Sequence, residues 1–226
     1  MSESAQLGRT LAGGARKPET AFINIPYAPE YEDRLLSLIA GVSLYGVVPT
    51  AAIVAGDDAN RLDRIVAAIT ECTLSIHDLS WMGVDSPATS TPRFNMPFEF
   101  GMAVALASLV SNDFVVLDTV PHRLDKALSD ARGIDAHIVD DTPLSVFRAL
   151  ANVFHRHDFQ PEPRQFQRIH ARLKVVAENL RVKFGFKSMF APKPFAELRK
   201  AAALLAADAR HESVPTVPLL ITRTTR

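Results

Sequence analysis

Between Arg93 and Val110 a single acid, Glu99, stands at the mouth of an otherwise apolar run. Met102, Ala103 and Leu106 follow it at +3, +4 and +7, so on a helix all four share one face. A carboxylate held against such a wall loses hydration, which raises its pKa, while a helix N-terminus pulls the pKa back down. An acid perturbed in this way is a candidate functional group. An acid favoured only by the dipole of the first helical turn would be written the same way. Gly101 leaves room for close backbone approach, at a helix-propensity cost of about 1 kcal/mol relative to Ala.

A second carboxylate, Asp78, ends the apolar segment T73-L-S-I-H-D-L-S80. Its place at a strand end suits a functional contact, and equally the capping of a turn. Tyr27, in the turn P26-Y-A-P29, offers a ring for stacking on a base or for filling a core. Asn95 suits a hydroxyl contact or a helix cap ahead of Pro97, and Ser80 and Arg93 are candidate contacts for phosphate or hydroxyl groups. His77 points to the opposite sheet face from its neighbour Asp78 and reads as structural.

The elements that must hold these residues alternate. Strands are expected over 21–27, 47–54, 73–80, 114–119 and 135–139, and helices over 30–45, 60–71, the run after Pro97, 122–131 and 142–154. Five strands separated by helices predict an α/β fold with a doubly wound parallel sheet in the order 2-1-3-4-5. In such sheets ligands bind beyond the carboxyl ends of the strands where the order reverses, here between the loops after strands one and three. Those loops carry Tyr27, and Ser80 through Glu99. From about Pro161 only helices are expected, over 163–180 and 195–209, so the chain divides into a leader (1–20), an α/β body (21–160) and a C-terminal helical extension (161–226).

Bulk composition narrows the function. The chain of 226 residues is 47% hydrophobic and 22% charged, a globular balance, with zero formal net charge, so no nucleic-acid partner is expected. The charge is unevenly spread: residues 21–160 hold nine Lys/Arg against 18 Asp/Glu, and residues 161–226 hold 13 against five. An acidic body with a basic extension predicts that the two dock, within one chain or between copies as a homo-oligomer. No membrane span and no signal pattern is present, and a cytoplasmic location is expected. The one cysteine, Cys72, reads as a buried thiol. No Walker or G-x-G-x-x-G loop follows the first strand, and the H-x-H pair His155 and His157 lacks the company a metal needs, so neither a bound cofactor nor a metal is expected.

Three segments, I23-N-I-P-Y-A-P-E-Y31, R61 through S80, and N95-M-P-F-E-F-G-M-A103, together resemble nucleoside 2-deoxyribosyltransferases and the related TIR-like domains. In the transferases a Pro-aromatic turn follows the first strand and an Asp-Gly-Thr-x-x-Glu-x-Gly-x-Ala segment supplies the catalytic carboxylate. Glu99, Gly101 and Ala103 match the second half of that segment; Asn95, Met96 and Pro97 stand where Asp-Gly-Thr would. The resemblance implies chemistry at the anomeric carbon of a nucleoside, nucleotide or NAD-like substrate, with Glu99 and Asp78 as catalytic carboxylates. Tyr27, Ser80, Arg93, Asn95 and Met96 would be the substrate contacts. It also admits a sensor of the same ligands that does no chemistry.

Overall fold

The computed structural model describes residues 19–53, 60–82, 94–107, 109–110, 112–155 and 157–212. Residues 1–18 of the expected leader and Arg93 lie outside them, whereas Thr20, the last leader residue, opens the first strand. The five strands are β1 (Thr20–Asn24), β2 (Val48–Thr50), β3 (Leu74–Asp78), β4 (Asp113–Asp118) and β5 (His137–Ile138). They form one sheet, parallel throughout, in the order β2-β1-β3-β4-β5, as the alternation predicts. The helices are α1 (Glu32–Leu44), α2 (Arg61–Glu71), α3 (Asn95–Ala107), α4 (Arg123–Ala127), α5 (Pro143–Val153), α6 (Pro163–Phe184) and α7 (Pro192–Glu212).

Strand pleating sorts the side chains between two faces. Ala21, Ile23, Leu74, Ile76 and Leu117 pack with α1, α5, α6 and α7. Phe22 meets α2 and α3, while Leu79 and Val116 meet α3 and α4. Four of the strands are shorter than expected, and β4 keeps its six residues shifted by one. β1 stops at Asn24, two residues before Pro26, which has no N–H for a ladder. The helix expected over 122–131 ends at Ala127 and yields to a 3-10 turn over Ser129–Ala131.

One face is unusually deep. Every residue of α1 from Leu35 to Leu44 is buried, and a helix apolar on all sides must be covered on all sides. The sheet covers one side; α6 and α7 cover the other. Phe166, Ile169, Leu173, Ala177 and Leu180 of α6 and Phe195, Leu198, Ala202, Ala206 and Ala209 of α7 belong to the same apolar core as α1. The opposite charges of body and extension meet here: Arg181 pairs with Glu32, and Lys174 lies 3.0 Å from Asp33. Arg210 donates to the carbonyls of Ser43 and Leu44 at 2.8 and 3.1 Å, capping the last turn of α1. Gly41 allows α5 to approach closely, since a Cβ there would lie 2.4 Å from the Leu150 Cδ1. No described helix is long and apolar enough to cross a membrane.

Candidate functional site

The chain leaves β1 toward the α1 face and leaves β3 toward the α3 face, so the reversal of strand order opens between the ends of these two strands. Asn24, the last residue of β1, pairs in register with His77 of β3. Both point to the α2/α3 face by the alternation that sends Ile23 and Ile76 to the other.

Glu99 comes to this point from α3. The helix begins at Asn95, so Glu99 is its fifth residue, one turn deeper than the first-turn position expected from sequence. The dipole effect fades beyond the first turn, which leaves burial as the dominant influence. Glu99 is 3% exposed, with Met102, Ala103 and Leu106 of its own face packed toward α2. Burial pushes its pKa above the usual carboxylate range, while hydrogen bonds from Arg61 and Asn24 and the positive charge of Arg61 pull the other way. The Arg61 Nη2 donates to the Glu99 Oε1 at 3.1 Å, yet the Arg61 side chain is 54% exposed. Arg61 opens α2 directly after its N-cap Asn60, whose side chain accepts from the Asp63 N–H at 2.9 Å.

Tyr27 borders the same group. Its ring lies 5.6 Å from the Arg61 guanidinium and stacks on Phe190 at 5.2 Å between centroids. Burial above all pushes the Tyr27 hydroxyl up to about 12, so it stays protonated at neutral pH. Behind Glu99 the Asn24 Nδ2 donates to the His77 Nδ1 at 3.0 Å. An amide nitrogen can only donate, so Nδ1 accepts and the imidazole carries its proton on Nε2. Among the described residues that buried Nε2 has no hydrogen-bond partner, a penalty of about 1–3 kcal/mol. Burial lowers the His77 pKa to about 3, so the ring is neutral.

Asp78 faces the other way, to the α1 side. Its Oδ2 accepts from the Arg34 Nη1 at 3.2 Å and its Oδ1 from the Ser80 N–H at 2.9 Å. The Arg34 side chain is only 8% exposed and also donates to the Asp140 carbonyl at 3.0 Å. The Ser80 and Tyr31 hydroxyls share a hydrogen bond of 2.8 Å, and the Tyr31 ring stacks nearly parallel on Trp81 at 5.5 Å. Burial raises the Asp78 pKa, against the attraction of Arg34 and the hydrogen bonds of Ser80. β4 ends in a third acid, Asp118, which accepts from the N–H groups of Thr119 and Val120 and pairs with Arg123. Arg123 in turn donates to the Leu79 carbonyl at 2.9 Å, tying this turn to the end of β3.

Of the residues expected at the site, the structure gathers Glu99 and Tyr27 into one group and Asp78 and Ser80 into another. Asn95 is exposed at the start of α3, and Met96 is buried among Leu79, Phe100, Val116 and Leu124. Arg93 is outside the described residues. Asn24, Arg61, Arg34, Tyr31 and Trp81 were not singled out by sequence. The signals were slight: a polar residue closing the apolar segment of β1, an arginine opening α2, and aromatic residues flanking two loops.

A cavity of about 550 Å³ at the carboxyl ends of β4 and β5 is lined by His137, Asp140, Asp141, Arg148 and Asn152 among others, and does not include Glu99. Among the described residues no group of three or more His, Cys, Asp or Glu side chains is arranged to hold a metal ion. Comparison with protein-family models matched none, and no curated protein matches the chain.

Proposed function

We propose that the chain acts on the N-glycosidic bond of a nucleoside, nucleotide or NAD-like substrate, as a hydrolase or transferase, with Glu99 as the reacting carboxylate. The observation that carries this reading is a buried acid at the strand-order reversal, with a pKa raised by burial and an arginine partner that is half exposed. Cleavage of an N-glycosidic bond develops an oxocarbenium-like centre that a nearby carboxylate stabilises or captures. In the covalent form of the reaction the bond from the anomeric carbon to the base nitrogen breaks as a bond to a Glu99 oxygen forms. The base leaves with the electron pair and takes a proton from solvent water. Water or a second base then attacks the same carbon, the bond to the Glu99 oxygen breaks to regenerate the carboxylate, and the nucleophile gives its proton back to solvent.

Arg61 is the element that moves. Its shift toward solvent releases the Glu99 carboxylate and the part of the Tyr27 ring that it covers, giving a base an aromatic surface. Asp78 has a supporting role in this reading: its two oxygens hold Arg34 and the Ser80 N–H, and so fix the turn after β3. The same proposal includes a homo-oligomer. Phe94 and Phe98, one helical turn apart beside Glu99, are 69% and 59% exposed and form an apolar surface suited to a second copy.

A ligand sensor without turnover is favoured by one observation, the engagement of Glu99 by Arg61 at 3.1 Å. Incubation with a panel of nucleosides, nucleotides and NAD, with chromatography for released base, separates the two. Released base supports the enzyme. Saturable binding with no released base supports the sensor.

A further inference from the structure

The connection between α6 and α7, residues 185–191, brings Phe190 of the basic extension onto Tyr27. The ring centroids are 5.2 Å apart and the planes inclined by 22°, the geometry of an offset aromatic stack. Phe190 is not needed to anchor the connection. Its neighbour Met189 does that, fully buried in the core shared with α1, whereas Phe190 is only partly buried at the edge of that core. The Phe190 N–H donates to the Ser188 Oγ at 3.1 Å, which fixes its backbone from its own side. Tyr27 is presented as firmly: the Ala28 N–H donates to the Pro26 carbonyl at 3.0 Å, and the Tyr31 N–H to the Ala28 carbonyl at 2.9 Å. The extension also grips the end of this turn, through Arg181 on Glu32 and Lys174 on Asp33. With the backbone held, the freedom left to Tyr27 is the rotation of its ring.

Two neighbours of different kinds restrain that rotation. Arg61 is a half-exposed cation 5.6 Å from the ring centroid, and Phe190 is an uncharged ring stacked on it. A base that displaces Arg61 removes the first restraint and leaves the second. We infer that Phe190 is a positioning residue of the candidate site: it holds the Tyr27 ring in the orientation in which a nucleobase stacks on it once Arg61 has moved, so that the helical extension supplies part of the site. A ring already held in its bound orientation spares the ligand the cost of ordering it. The inference rests on Tyr27 being the contact for the base, and it concerns binding rather than bond breaking.

The test compares the full chain with Phe190→Ala, Phe190→Leu and the conservative Phe190→Tyr, with circular dichroism to check the fold. One readout needs no ligand: NMR titration of tyrosine labelled at Cζ, the Tyr27 signal being assigned by its loss in Tyr27→Phe. Burial above all holds the Tyr27 hydroxyl at about 12. Opening the stack admits water to the ring, so that pKa falls by about one unit in Phe190→Ala, by about half as much in Phe190→Leu, and stays near the parent value in Phe190→Tyr. The second readout is calorimetric binding of AMP and NAD as probes, which weakens about 10-fold in Phe190→Ala and is restored to within about threefold in Phe190→Tyr. Where base is released, KM rises while kcat stays within about threefold. An unchanged Tyr27 titration in folded Phe190→Ala, or in folded Phe190→Leu should the first not fold, overturns the inference. Parental affinity for a probe in those variants overturns it as well and leaves the proposed function standing. Should the parent bind neither probe while the titration moves as expected, Phe190 positions the ring and it is the reading of Tyr27 as a base contact that fails.

Discussion

Two groups of the same composition sit at one edge of the sheet. Each has a buried carboxylate, an arginine donating to it and a tyrosine under that arginine: Glu99 and Arg61 on the α2/α3 face with Tyr27 of the turn after β1, and Asp78, Arg34 and Tyr31 on the α1 face. They differ in how far they are closed. Arg34 is 8% exposed and is held by Asp78 and a backbone carbonyl, whereas Arg61 is 54% exposed and leans on Glu99 and a ring. The difference follows from what lies above each group. α1 is buried along most of its length under α6 and α7 of the basic extension, which also lays Phe190 on Tyr27; among the described residues α2 and α3 have no comparable outer layer. Identical chemistry thus serves rigidity where the cover is thick and remains available to a ligand where it is thin.

The comparison is broken most severely by removing one arginine. Arg34→Ala leaves the Asp78 carboxylate buried without its cation, and breaking a buried pair in this way costs about 3–5 kcal/mol. Denaturant unfolding at pH 7 measures it. The sign with pH is fixed: burial already raises the Asp78 pKa, loss of Arg34 raises it further, and so the deficit shrinks as falling pH protonates the acid. A loss of under 1 kcal/mol would mean that the closed group is no more braced than the open one.

The matching variant on the other face is mild. Arg61→Ala removes a half-exposed partner and costs less than about 1 kcal/mol in the same unfolding experiment. It also raises the Glu99 pKa, because both the hydrogen bond and the charge of Arg61 hold that pKa down. A stability loss equal to that of Arg34→Ala would erase the distinction.

The smallest effect is a gain. Because burial places the folded pKa of Glu99 above its usual value of 4.5, the folded chain holds its proton to higher pH than the unfolded chain. The stability associated with that proton is present below the unfolded pKa and is lost as pH rises through the folded one. Glu99→Gln removes that loss, so the variant equals or exceeds the parent in stability above the raised pKa, by less than about 1 kcal/mol, and the difference closes on acidification. Thermal unfolding from pH 4 to 8 checks the direction. A variant less stable than the parent at pH 8 would show that Glu99 serves the fold.

Much of this frame could be read from residue order. The alternation of apolar segments predicted the strand order, and the burial of Glu99 followed from Met102, Ala103 and Leu106 on its face. The docking of α6 and α7 followed from the opposite charges of body and extension. Even the separation of His77 from Asp78 was implicit in strand parity. The partners were not legible, because they meet across distances that no local pattern encodes: Arg61 and Glu99 are 38 residues apart, Arg34 and Asp78 44, and Asn24 and His77 53. Asn24 reaches His77 only through the β1–β3 register, which depends on packing of the whole sheet. Asp78 and Glu99 hold different partners for a related reason. Both stand at the same sheet edge, but the parity of β3 sends Asp78 toward α1 while Glu99 descends from the opposite layer.

The central claim is that the open carboxylate does the chemistry, and it is tested most directly by initial rates of base release from a nucleoside or nucleotide substrate by the parent chain and by Glu99→Gln. The substitution keeps the shape of the side chain and removes its charge. A fall of at least about 10³-fold with an unchanged circular dichroism spectrum is the expected result. Release at the parental rate from a folded Glu99→Gln would contradict it, and would leave Glu99 as a buried acid of α3 with no part in the reaction.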